Sequence, residues 1–277
     1  MRVSVLTPVG RGRDGWLGET ARSVLACRTA VRHQGVDVEW VVCHDGGAPG
    51  RDLPVQPDRV VVLAAPRGVS GARNAALAVA TGDWVVPLDA DDLLDPGGFA
   101  VLAGVLRRAD PATGWVGCNR LLVDGGATPY WVDGERDYAA GALAQAWTSP
   151  FPFHPNSAAV RREVMLAVGG WPAMLNEDIG AMLLLGEESA GAVHPAVLTR
   201  YRVWDGQITA GAGYHPDKVV AFATIEALVN ARRRRVGRAP VTRPDVTRPI
   251  DLRAGPAPGG QPGQRAGADP TSSGRDS

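Results

Sequence analysis

The sequence predicts an α/β protein with a mainly parallel central sheet flanked by helices. Three observations carry that prediction. Short runs of β-branched and aromatic residues alternate with helical stretches through the first hundred residues. These runs are almost continuously apolar, as strands buried on both faces must be. Most of them lead into a turn containing Gly, Asp or Pro.

The first strand is expected over Arg2 to Thr7, followed by a helix from about Trp16 to His33. A second strand over Val36 to Cys43 and a third over Arg59 to Ala64 come next. An Ala-rich helix over Gly71 to Ala80 precedes a fourth strand over Asp83 to Leu88, and Asp95-Pro96 caps the helix after it. Four short strands with helical crossovers make residues 1–108 a parallel, doubly wound half. Past Arg108 the rhythm loosens. A strand is expected over Gly114 to Val123, a helix over Tyr138 to Trp147, and a Pro-rich loop over Ser149 to Pro155. A short helix over Ile179 to Leu185 and a final one from about Asp217 to Arg235 complete a second half, 109–235. From Val236 onward Pro, Gly, Arg, Asp and Ser dominate, so 236–277 is expected to be a disordered tail.

At 277 residues and 45% hydrophobic, the chain can bury a sizeable core. Twenty-nine basic residues balance 29 acidic ones, so no global field favours nucleic acid, and any anionic ligand needs a local site. Cys27, Cys43 and Cys118 are widely spaced among apolar residues. That spacing suits buried reduced thiols in a cytoplasmic protein, not a disulfide frame or a zinc site. Met1 to Pro8 reads as a strand rather than a secretion signal, and no uncharged apolar run approaches about 18 residues.

The chemistry concentrates at turns after the strands. Gly82-Asp83-Trp84-Val85-Val86-Pro87-Leu88-Asp89-Ala90-Asp91-Asp92 brings three carboxylates to the carboxyl edge of the sheet, where open α/β folds bind ligands. A hard divalent cation held by one or two carboxylates and a diphosphate fits there; a solvated turn with a helix cap is the alternative. The second strand leads into Asp45-Gly46-Gly47, placing a carboxylate at the same edge to accept from a nucleobase N–H or a ribose hydroxyl. Pro66-Arg67-Gly68-Val69-Ser70-Gly71-Ala72-Arg73-Asn74 is a Gly-rich loop entering a helix, with N–H groups and Arg73 suited to a phosphate or a base carbonyl. Downstream, Gly169-Gly170-Trp171-Pro172 precedes Asn176-Glu177-Asp178: either a capped helix start or a source of general base.

Taken in order, Thr7-Pro8, Asp-Gly-Gly, Gly-x-x-x-Ala-Arg-Asn, the Asp-x-Asp-Asp turn, Gly-Gly-Trp-Pro and Glu-Asp resemble a family 2 glycosyltransferase with the GT-A fold, a Rossmann-like sheet with an acceptor-side C-terminal part. The resemblance spans about Val3 to Thr209. It implies metal-dependent, inverting transfer of a sugar from a nucleoside diphosphate, UDP as the family's commonest, to an acceptor hydroxyl. Thr7 and Pro8 then pack on the nucleobase, Asp45 binds it beside Gly46, and Arg73 is the cation of its segment. Asp89 contacts the ribose or the metal, Asp91 is the main ligand for Mn²⁺ or Mg²⁺, and Asp178 is the catalytic base. Arg202, followed by Gly206-Gln207-Ile208-Thr209, is expected as a second phosphate contact. The Pro-rich loop, His154, Trp171 and Tyr201 to Trp204 are candidates for the acceptor side.

The chain departs from the family pattern at Val9, where an aromatic is usual, and at Gly47, Arg67 and Trp204. Trp204 occupies a position where many members carry a histidine, leaving His194 or His215 as substitutes. A sugar nucleotidyltransferase is the first alternative, on a loose Gly10-Arg11-Gly12-Arg13-Asp14-Gly15 loop, and a non-catalytic nucleotide-binding module the second. The acceptor is expected to be a glycan, a lipid-linked sugar or a small molecule. Arg232-Arg233-Arg234-Arg235 closes an amphipathic helix, which suits either a solvated helix end or weak peripheral contact with the inner membrane face.

Overall fold

A computed structural model describes residues 1–47, 53–205, 207 and 214–247. The strands are β1 (Arg2–Gly10), β2 (Asp37–Asp45), β3 (Arg59–Leu63), β4 (Trp84–Pro87), β5 (Leu93–Leu94), β6 (Thr113–Leu122), β7 (Arg136–Tyr138), β8 (Ala158–Arg161) and β9 (Ala190–Tyr201). The helices are α1 (Leu17–Val31), α2 (Gly68–Val79), α3 (Pro96–Arg108), α4 (Ala142–Gln145), α5 (Arg162–Ala167), α6 (Glu177–Glu188) and α7 (Tyr214–Arg235).

All nine strands join one sheet in the order β3-β2-β1-β4-β8-β6-β9-β5, with β7 beside β9. The first four strands are parallel throughout, and the order reverses on either side of β1. That reversal makes the switch point at which open sheets bind ligands. Beyond β4 the sheet is mixed: β8 runs antiparallel to both β4 and β6, and β5 and β7 run antiparallel to β9. The mainly parallel arrangement is therefore confined to the first half.

Because strand side chains alternate, β1 feeds two cores. Val3, Val5 and Val9 pack with α1 and α3, while Leu6 packs toward α2, α6 and α7. Asp95 caps α3 as expected, accepting from Gly98 N–H at 2.9 Å behind Pro96.

Three expected elements differ. β1 continues three residues past Thr7, because Pro8, Val9 and Gly10 stay in register with Cys43, His44 and Asp45. The helix expected over Tyr138 to Trp147 shrinks to α4: Tyr138 pairs with Gly191 at the sheet edge, and Gly141 takes a left-handed φ of 88° that breaks a continuous helix. The tail expected from Val236 is folded as far as Thr247. Val246 is 2% exposed, and Arg238 donates to Glu187 at 2.8 Å, so low overall apolar content did not prevent one well-placed valine and one arginine from docking. The remainder of that expected tail lies outside the described residues.

Among the described residues no helix is long and apolar enough to cross a membrane. The apolar face of α7 is already covered by the fold through Phe222, Ile225 and Val229. Arg232 is paired with Glu188, and Arg233 is buried against Glu187 at 2.5 Å. Arg234 and Arg235 of the basic run are exposed, and on the same helix Val220 and Leu228 remain exposed. All three cysteines are free and buried.

Candidate active site at the carboxyl edge of the sheet

A cavity of about 1220 Å³ opens over the carboxyl ends of β1, β2 and β4. Of the residues expected from sequence, Pro8, Asp45, Arg73, Asp89, Asp91 and Asp178 line it. Thr7, Gly46 and Arg202 do not.

Asp45 reaches the edge because β2 is in register with β1 as far as Gly10. Its carboxylate accepts from the backbone N–H of Arg67 at 2.6 Å and of Gly68 at 2.9 Å. It thereby caps α2, whose own N-cap residue offers no side-chain bond, and favours the helix dipole. The loop N–H groups expected for a phosphate are thus partly taken by Asp45. Gly46 serves the backbone: at φ 76° a Cβ would sit 2.6 Å from Pro66, so only glycine makes this turn.

One face of α2 holds the downstream acidic segment in place. Ser70, Arg73 and Asn74 lie three and four residues apart, as neighbours on one helix face. Ser70 Oγ donates to Pro172 O at 2.8 Å. Asn74 exchanges two bonds with the Trp171 backbone, at 2.8 and 2.9 Å. Gly170 permits this approach, since a Cβ there would meet Asn74 Oδ1 at 2.1 Å. Trp171 is consequently a buried docking residue, not an acceptor-side ring.

Arg73, 1% exposed, donates to Asp89 at 2.6 Å and to Glu177 at 2.5 Å. The expected phosphate cation is instead a strut between two carboxylates. Asp89 also accepts from Asn156 at 3.2 Å. Asp91 accepts from the Trp204 indole N–H at 2.8 Å, so the residue in the histidine position orients the proposed metal ligand directly. Burial, then the like charge of Asp89, pushes the Asp91 carboxyl upward. Asp92 is buried, pushed well up by burial and both neighbours, and accepts from the Arg202 backbone N–H at 2.9 Å.

Among the described residues no three His, Cys, Asp or Glu side chains gather as a complete metal cage. Asp89 and Asp91 are hard oxygen donors, and burial together with the charge of Asp89 opposes ionisation of Asp91. That donor set fits a divalent ion completing its shell with water and phosphate oxygens.

Asp178 opens α6. Asn176 adopts a left-handed backbone, φ 55°, and gives its amide to the Tyr214 hydroxyl at 3.0 Å, so it does not cap the helix as expected. Asp178 accepts one bond, from Ile179 N–H at 2.8 Å. Burial raises its pKa, outweighing the pull of Arg73. Glu177, by contrast, is committed to Arg73; burial holds it up, to about 7.

Two expected contacts are displaced for clear reasons. Thr7 is fully buried mid-strand, where its Oγ1 accepts from the Trp40 indole at 3.0 Å. Arg202 does not itself line the cavity; it donates to the Asp91 carbonyl at 3.0 Å and to Glu19 at 2.7 Å, and lies 4.0 Å over Trp16. His194 pairs with Glu135 and does not line the cavity; the side chain of His215 lies outside the described residues. His154 does line it, edge-on to Tyr130 at 4.9 Å, with its pKa pushed well down by burial and by Arg120 and Arg73.

Sequence reasoning missed Arg120, Tyr130, Asn156, Tyr214 and Lys218, all in the cavity wall. Each sits in a segment with no distinctive spacing, so only the three-dimensional packing reveals it.

Comparison with known proteins agrees with this architecture. The profile of Glycosyl transferase family 2 matches residues 19–169, more than half of the chain. The succinoglycan biosynthesis protein ExoO of Rhizobium meliloti (strain 1021) is 36% identical over 105 residues, covering 36% of this chain and 29% of ExoO. The chain thus spans less than a third of that curated relative. Among solved structures, S. aureus TarS 1–349 in complex with UDP-GlcNAc is similar with a TM-score of 0.60 at 16% identity, over 84% of this chain and 66% of TarS 1–349. The mannosyltransferase PcManGT from Pyrobaculum calidifontis, in complex with GDP-Man and Mn²⁺, gives 0.55 at 23% identity, over 86% and 65% of the two chains. A switch-point cavity lined by Asp45, Asp89, Asp91 and Asp178, in the order and on the elements that the motifs required, and the profile match together mean that this chain belongs to glycosyl transferase family 2.

Proposed function

We propose that the chain transfers a sugar from a nucleoside-diphosphate sugar, UDP-linked in the first instance, to an acceptor hydroxyl with inversion at the anomeric carbon. The observation that carries this reading is the convergence of Asp45, Asp89, Asp91 and Asp178 from β2, the β4 turn and α6 on one cavity. Pro8 and Asp45 offer a nucleobase a flat apolar contact and a carboxylate acceptor. Asp91, oriented by Trp204, and Asp89, held by Arg73 and Asn156, would hold Mn²⁺ or Mg²⁺ together with the diphosphate. Such an ion, when bound, neutralises charge on the departing diphosphate. The binding of UDP-GlcNAc by TarS, and of GDP-Man and Mn²⁺ by PcManGT, supports a nucleotide-sugar donor and a divalent ion here.

Asp178 suits the base. It keeps one carboxylate oxygen without a protein donor among the described residues, and its raised pKa favours taking a proton. The acceptor O–C bond forms as the anomeric C–O bond to phosphate breaks, and the acceptor proton passes to Asp178. One displacement inverts the centre. The buried free thiols support the cytoplasmic setting included in this proposal, which cell fractionation tests.

The test is thermal shift against UDP, GDP and other nucleoside diphosphates with and without Mn²⁺. A nucleotide that stabilises the chain only with Mn²⁺ supports the reading, because a ligand of the native state stabilises by mass action. If none does so, the reading falls.

A further inference from the structure

Two buried cations line the cavity with no carboxylate at ion-pair distance among the described residues. Arg120 in β6 is 2% exposed and Lys218 in α7 is 5% exposed, and both line the wall. Among the described residues neither makes a side-chain hydrogen bond or an ion pair, and Arg120 Nε is buried with no partner at all. Arg120 instead lies over Tyr201, its guanidinium carbon 3.9 Å from the ring centre, with the Tyr130 ring at 5.7 Å. Lys218 rests 5.4 Å from the centre of Phe222.

Among the described residues the other fully buried cations have carboxylates, although the Nε of Arg73 also lacks a partner. Arg73 has two carboxylates, and Arg233 has Glu187 and two carbonyls. A cation taken out of water and left unpaired is costly, and burial pushes Arg120 and Lys218 toward their neutral forms. In the sheet, β6 lies two strands beyond β4, on the side away from β1 and β2 that carry Pro8 and Asp45, and Arg120 and Lys218 share the cavity wall with Asp178. Arg120 feels the charge of Asp92 first and of Asp178 after it, and Lys218 that of Asp178. The group beside the base in a transfer reaction is the acceptor.

We propose that Arg120 and Lys218 form an acceptor subsite for an anionic sugar, binding a hexuronate carboxylate or a sugar phosphate beside Tyr130 and Tyr201. The planar guanidinium suits either anion, and the tyrosine rings offer a face for the sugar. This inference rests on the glycosyltransferase reading above.

The test titrates the full chain, saturated with UDP and Mn²⁺, with methyl β-glucuronide and glucose 6-phosphate against methyl β-glucoside. At least tenfold tighter binding of one anionic probe is expected. Lys218→Gln, checked for an unchanged melting temperature, should cut that preference to within threefold and leave UDP affinity within threefold of the parent. Arg120→Lys, which keeps the charge, should retain part of the preference that Arg120→Gln loses. Equal binding of all three probes by the parent overturns the proposal. So does a Lys218→Gln variant that loses affinity for UDP, or for UDP-glucuronic acid over UDP-glucose, since the anion would then belong to the donor. Failure of the parent to bind UDP or GDP at all counts instead against the transferase reading.

Discussion

Arg73 Nη1 donates to Glu177 Oε1 at 2.5 Å, joining residues 104 apart in sequence inside a wall that solvent scarcely reaches. The same guanidinium holds Asp89, so the acidic turn after β4 and the start of α6 are fixed to one group on α2. The proposed metal ligands and the proposed base therefore keep their spacing through a residue that does no chemistry.

Replacing Arg73 with Met should leave Glu177 buried without its cation and lower stability by about 3 kcal/mol, as breaking buried ion pairs does. The urea midpoint measures it. A loss below about 1 kcal/mol would show that the strut is dispensable.

Asp178→Asn should reduce transfer by about a thousandfold while nucleotide affinity persists, because the base acts on the acceptor and not on the donor. The pH profile of the parent should show an acid limb above the ordinary aspartate range, since burial raises this carboxyl. Turnover that survives the substitution excludes Asp178 as base.

Trp204→Phe keeps the ring and removes the indole N–H that Asp91 accepts. Hydrogen bonds to charged groups contribute about 1.5–3 kcal/mol, so Mn²⁺-dependent affinity for the nucleoside diphosphate should fall about tenfold or more. Calorimetric titration with and without Mn²⁺ reads this directly, and unchanged affinity would dissociate Trp204 from the metal site.

Glu39 supplies a pH signature away from the site. Burial pushes its carboxyl up, but donors from Ser4, Thr81 and Arg59 more than reverse this and bring it down to about 2 from an ordinary 4.5. A folded pKa below the unfolded one contributes stability that is present above pH 4.5 and lost as pH falls through about 2. The stability gap between the parent and Glu39→Gln should be constant above pH 4.5 and vanish near pH 2. A gap that widens in acid would contradict the assignment.

Truncation after Gly237 removes Arg238 from Glu187 and Val246 from the core. Burying one valine is worth about 1.5–3 kcal/mol, so the truncated chain should unfold at a lower urea concentration by about 2 kcal/mol. An unchanged midpoint would mean that 238–247 adds nothing to the fold.

The parallel half was legible because its signals are local and repetitive. Apolar runs such as Trp84–Pro87 must be buried on both faces, and Asp95-Pro96 determines a helix start by its own chemistry. Asp45, Asp89 and Asp91 were legible for the same reason: they end or follow a strand, and strand ends in such a sheet share one edge. What a side chain does after reaching that edge depends on neighbours far away in sequence. Arg202 was expected on a phosphate and is held by Glu19 and Trp16; Arg73 was expected on a ligand and is held by Asp89 and Glu177.

The sequence by itself determined the parallel half and the carboxylate edge, since strand burial, turn glycines and helix caps act over a few residues. Tertiary structure alone decided which cations are spent and which are left facing the cavity. That choice is electrostatic. A buried arginine takes whichever carboxylate packing brings within reach, and among the described residues Arg120 and Lys218 are buried cations of this wall with none at ion-pair distance.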